Sequence, residues 1–160
     1  MVAAITISVT LGAAVMRAIA EYSDPAELRQ VMANANRLGN EGIYWEAFSR
    51  LCRISGRDEP DPLVRDFCST LAAYEELLSL KNGRKTLANR TRQKLARKGV
   101  VKCLEDWAFQ PTSDGLELLV SKNLYHLTEE YLVLKYPERF SPGAVKAAHA
   151  KLKALGYSLS

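Results

Sequence analysis

Three times this chain sets an Asp or Ser directly before a proline and then spaces apolar residues three or four apart: Asp24-Pro25, Asp61-Pro62 and Ser141-Pro142. A short polar side chain ahead of proline marks a helix start. Its oxygen accepts from an orphan backbone N–H, and the fixed φ of proline suits the first helical position. Asn40 and Ser113 supply two further starts, and Glu27 stands where a capping box would close after Asp24. The stops answer the starts: Gly39, Gly56, Asn82-Gly83, Gly99, Pro137 and Gly156. Between them run helical stripes, among them Leu28, Val31, Met32, Ala35 and Leu38, and later Leu63, Phe67, Leu71, Tyr74 and Leu78. Beyond residue 20 no alternating run is long enough for a strand, and no repeat of fixed period suggests a solenoid. The expected fold class is all-α: a compact orthogonal bundle of seven or eight short helices, with an apolar N-terminal extension.

A length of 160 residues fits one domain. The expected organisation is an extension over 1–22 and a single helical domain over 23–160. The extension is apolar up to Arg17 and closes on Ala18-Ile19-Ala20, which imitates a signal-peptidase site. It lacks a positive n-region, however, and the run from Met1 to Met16 is short for a membrane span. Three readings stay open: a signal-like segment, an extension packing on the body or on a second subunit, and a mis-assigned start. Cys52, Cys68 and Cys103 are odd in number and form no CxxC pair, so they read as buried free thiols in a cytoplasmic protein.

Charge is distributed unevenly. Lys81, Arg84, Lys85, Arg90, Arg92, Lys94, Arg97, Lys98 and Lys102 occur in 22 residues without one Asp or Glu. The chain as a whole is +4, so everything outside that segment is −5. A concentrated positive field attracts polyanions, of which nucleic acid is the commonest. On a helix from Arg84 to Lys98, Leu87, Thr91 and Leu95 fall on one side with Ala88, ready to dock on a core. Asn89 and Gln93 lie opposite, with Lys85 and Arg92 on one edge and Arg90 and Arg97 on the other. Asn and Gln can read adenine edges while Arg and Lys hold phosphates. The candidate nucleic-acid-binding set is Arg84, Lys85, Asn89, Arg90, Arg92, Gln93, Lys94, Arg97 and Lys98. Gly99 and a helix over Val100–Ala108 give a helix-turn-helix-like succession, although Ala96 precedes Gly99 by three positions rather than four. The segment has no aromatic residue for base stacking, which favours duplex DNA over single strands. The alternative is a protein-interaction module whose cationic helix meets an acidic partner, a second copy of the chain included.

Catalytic groups are sparse. His126 and His149 have no ligand at metal spacing on their own helices, and neither metal nor cofactor is expected. A magnesium-dependent nuclease would need clustered carboxylates. Asp58, Glu59 and Asp61 read instead as loop and cap, Glu75-Glu76 as a solvated helix face, and Glu105-Asp106 as acids near a helix start. Tyr44, Trp45 and Trp107 read as core or half-core residues ahead of partner anchors.

Four stretches carry a resemblance: NRLGNEGIYWEAFSRLC (36–52), DPLVRDFCSTLAAYEELLSLKNGR (61–84), TRQKLARKGVVKCLEDWA (91–108) and LTEEYLVLKYPERFSPGAVKAA (127–148). They look like segments of an uncharacterised bacterial family of small basic helical proteins. The likeness implies a bacterial cytoplasmic setting and makes residues 1–22 an addition to the shared domain. It implies no activity and carries over no site residue.

Overall fold

The computed structural model describes residue 15 and residues 17–158. The described backbone is helical, without a strand among those residues. It divides into two compact units, up to Ile54 and from Ser55 onward.

In the first unit, helix α1 (Pro25–Arg37) and helix α2 (Glu41–Arg53) pack on each other. Asp24 accepts from the Ala26 N–H at 2.9 Å and Asn40 from the Ile43 N–H at 3.1 Å, so both expected caps form. Leu28, Met32 and Ala35 of α1 are buried, as are Ala47, Phe48, Leu51 and Cys52 of α2. Tyr44 and Trp45 are half-buried and meet edge to face at 5.0 Å. Residues 17–21 are helical with Ile19 buried, and Arg50 Nε donates to the Tyr22 carbonyl at 2.8 Å. That part of the extension is a helical packing segment; residues 1–14 lie outside the described residues.

The second unit holds α3 (Pro62–Asn82), α4 (Asn89–Lys98), α5 (Val100–Ala108), α6 (Asp114–Ser121), α7 (Glu129–Lys135) and α8 (Pro142–Ala154). Short 3-10 turns lie at Tyr125–Leu127 and Pro137–Arg139. The core is built from one face of four helices: Leu63 and Phe67 of α3, Leu104 and Ala108 of α5, Leu132 and Val133 of α7, and Ala144 and Ala148 of α8. Burying each large apolar side chain stabilises by about 1.5–3 kcal/mol. The alanines of α8 let it approach α7 closely. Trp107 is half-buried, stacked on Phe67 at 6.3 Å.

Polar ties lock the frame. Asp66 on α3 accepts from Lys135 Nζ at 2.7 Å and from the Tyr136 hydroxyl at 2.6 Å. Glu105 on α5 accepts from the Ser141 N–H at 3.1 Å and from its hydroxyl, joining α5 to the start of α8. No described helix is long and apolar enough to cross a membrane. None of the three cysteines is in a disulfide; Cys52 and Cys103 are buried, whereas Cys68 is only half-buried.

Candidate nucleic-acid interface

The basic helix is shorter than its sequence suggests. α4 begins at Asn89, and residues 84–88 run as a non-helical strap rather than the first turn of a helix from Arg84. The cause is tertiary. Gly83 takes a left-handed conformation (φ 67°) and ends α3. The strap is then captured by side chains one turn apart on α3. Ser79 Oγ accepts from the Thr86 N–H at 2.8 Å, and Glu75 Oε1 accepts from the Ala88 N–H at 2.9 Å. Asn82 adds a bond to Thr86 Oγ1 at 3.2 Å. Side chains that satisfy backbone donors in this way compete with the helix ladder. One consequence is that Leu87, expected to dock on the core, is 46 % exposed, while Ala88 is buried.

Glu75 does more than hold the strap. It is a buried carboxylate rather than part of a solvated face. The oxygen that takes the Ala88 N–H also accepts from Arg92 Nε at 2.6 Å, and its other oxygen accepts from Arg92 Nη2 at 2.8 Å. A negative charge thus sits at the start of α4, where the helix dipole favours it and Ala88 offers no capping side chain of its own. Burial alone would push the Glu75 carboxyl up. The bonds from Arg92 and Ala88 outweigh it and hold the group below the ordinary carboxylate range. Arg92, expected on a phosphate, is therefore committed to Glu75, which raises its own pKa further.

A second carboxylate gathers lysines. Asp106 on α5 lies 3.4 Å from Lys94 Nζ, 3.1 Å from Lys98 Nζ and 3.5 Å from Lys102 Nζ. Hydrogen bonding from Lys98 leads the effects that lower its pKa. Lys94 also stands over the Trp107 ring, 5.0 Å from its centre. Lys94 and Lys98, both in the expected contact set, are thus drawn toward α5.

The other flank of α4 is different. Asn89, Gln93 and Arg97 follow at successive turns with Arg90 beside them, and all four are exposed. Arg84 and Lys85, exposed on the strap, continue the positive surface toward Lys81. Arg84, Lys85, Arg90 and Arg97 make no ion pair with a described residue. Thr91 and Leu95 turn inward as expected, Leu95 against the core. Nine cations and the two carboxylates that reach them leave a surplus of seven positive charges.

Gly99 is the whole joint between α4 and α5, shorter than the three- to four-residue turn of a helix-turn-helix unit. Its φ of 81° and ψ of 166° lie in a region that essentially only glycine enters. α5 buries Cys103, Leu104 and Ala108 and is a core helix. Among the described residues no group of three or more His, Cys, Asp or Glu is placed to hold a metal ion. His126 lies half-buried in a 3-10 turn and His149 half-buried on α8.

No family model, curated protein or solved structure matches the chain. Function rests on the geometry of the site itself.

Proposed function

We propose that this protein binds nucleic acid, duplex DNA first, through the outer flank of α4 and the strap before it. The observation that carries the reading is the split of the cationic segment: Arg92, Lys94 and Lys98 face carboxylates, whereas Arg84, Lys85, Arg90 and Arg97, exposed like Asn89 and Gln93, make no ion pair with a described residue. A ten-residue helix is about 15 Å long, and a major groove about 12 Å wide admits one. Asn89 and Gln93 would meet base edges, with the four unpaired cations on phosphates. Arg92 sets the position of α4 and is not a contact. The free thiols fit a reducing, cytoplasmic setting.

A second reading is favoured by Leu80 (55 % exposed) and Leu87 (46 % exposed), which stand beside the cations. Exposed leucines next to positive charge suit an acidic protein partner with an apolar ridge. A gel shift with random-sequence duplex tests the first reading. Binding should be strong at 50 mM salt and fall by orders of magnitude by about 200 mM as counterion release weakens. Arg90→Ala with Arg97→Ala should weaken it, and poly-glutamate should compete poorly. No duplex binding at low salt, with Leu87→Ser abolishing poly-glutamate binding, would establish the second reading instead.

A further inference from the structure

Within the second unit lies a cavity of about 230 Å³ that the cationic surface does not use. Leu77, Leu116, Leu119 and Leu127 form its apolar wall, and Thr70, Thr91 and Glu129 contribute polar groups. An apolar cavity of about 150 Å³ accepts benzene, so this one has room for a ring and a short polar arm.

Three charged residues at its lining, Glu129, Glu130 and Lys151, settle its charge preference. Lys151 is spent: its Nζ lies 2.7 Å from Glu130 Oε1 and donates to the Trp107 carbonyl at 3.1 Å, and both side chains of the pair are largely shielded from water. Glu129 is not spent. Its carboxyl has no hydrogen bond or ion pair with a described residue. Burial pushes it up to about 7, the charge of Glu130 adds to that, and Lys151 and Lys94 oppose it. The groups whose charge or titration couples to it are Lys94 of α4, Cys103 of α5 and Lys151 of α8, with Glu130 on its own helix, and Tyr74 of α3 lines the same cavity. None of them is bonded to it. Glu129 is half-buried, and no fully buried side-chain oxygen among the described residues lacks a partner, so its carboxyl oxygens reach the water of the cavity, where an ammonium can replace that water and pair the charge.

We propose that this cavity binds a small organic cation, a primary ammonium on a short arm from an aromatic or branched apolar body. The ammonium sits on the Glu129 carboxylate, with the hydroxyl oxygens of Thr70 and Thr91 as further acceptors, and the body lies against the leucines. An anion finds no uncommitted partner there, because Lys151 already has two. A neutral ligand leaves Glu129 unpaired. This inference does not rest on nucleic-acid binding, since it uses the inner side of α4 rather than its outer flank, and the opposite charge.

Calorimetric titration with 2-phenylethylamine tests it, with 2-phenylethanol and phenylacetate as isosteric comparators at pH 6 and pH 8. Glu129 passes from about one tenth to about nine tenths ionised over that range while the amine stays charged. The amine should therefore bind about tenfold more tightly at pH 8, and more tightly than either comparator. Glu129→Gln, close to isosteric with the protonated acid, should abolish the pH dependence and weaken amine binding about tenfold at pH 8. Amine affinity equal to that of the alcohol at both pH values would overturn the proposal, as would phenylacetate binding more tightly than the amine. Both comparisons use the unmutated chain, so they decide the matter even if the variant does not fold.

Discussion

The two flanks of α4 carry the same kinds of side chain and have opposite fates. On the inner flank Arg92 is held by Glu75 through two bonds, and Lys94 and Lys98 converge on Asp106. On the outer flank Arg90 and Arg97 meet no carboxylate and stand beside Asn89 and Gln93 in water. α4 has no fully buried side chain, so its position depends on those inner ties together with the packing of Leu95. Three of the five cations of α4 tie the helix into the unit, and the other two stand on that fixed frame. A count of positive charge cannot make that distinction.

Removing Glu75 should break the comparison most severely. Glu75→Ala deletes a bidentate pair and orphans the Ala88 N–H, and we expect a loss of about 2–3 kcal/mol, less than for a fully buried pair because Arg92 is 48 % exposed. Urea unfolding measures it, and faster amide exchange across 84–98 should accompany it. Acid should act in the same direction. Because the folded pKa of Glu75 is lowered, its contribution is fully present above the usual 4.5 and is lost as pH falls through the lowered value. Next in size, Gly99→Ala should cost about 1–3 kcal/mol, since alanine does not tolerate that backbone conformation, and should turn α4 away from Asp106. Arg92→Ala comes third, at about 1–2 kcal/mol, because Ala88 still ties Glu75 in place. Its duplex affinity should stay within about twofold of the parent once the protein is folded, unlike a phosphate contact, which changes the salt slope by about 1. The smallest effect on stability should come from Asp106→Asn. Exposed ion pairs contribute little, so the urea midpoint should scarcely move, yet freeing Lys94, Lys98 and Lys102 should tighten duplex binding and steepen its salt dependence.

What was legible in the sequence was local. The caps at Asp24, Asn40, Asp61, Ser113 and Ser141 reach two or three residues along the chain, and each forms. The left-handed stop at Gly83 follows from the same short-range rules, and so do the inward faces of α1 and α3 except at Leu38 and Tyr74, which are exposed. What was not legible spans distance. Glu75 reaches 13 residues to Ala88 and 17 to Arg92, and periodicity alone placed it on a solvated face. The start of α4 was misplaced for the same reason, because Ser79 and Glu75 outbid the ladder for the strap's amides. Asp106 was read as an acid near a helix start, whereas it lies in the last turn of α5, and its three lysines meet it only after the sharp joint at Gly99. Glu129 and Glu130 carried no sequence signal beyond favourable charges in a first turn; the cavity that separates their roles is assembled from six helices and the loops joining them.

The decisive measurement is the slope of log Kd against log salt for a fluorescent duplex, comparing the parent chain with Arg84→Ala, Lys85→Ala, Arg90→Ala and Arg97→Ala combined. These four side chains lie outside every ion pair described above, so the variant should fold like the parent. The account predicts a linear, steep dependence for the parent and a slope smaller by about 3–4 for the variant, close to 0.9 per phosphate contact removed. An unchanged slope in the variant, or a parent whose affinity ignores salt, would contradict it.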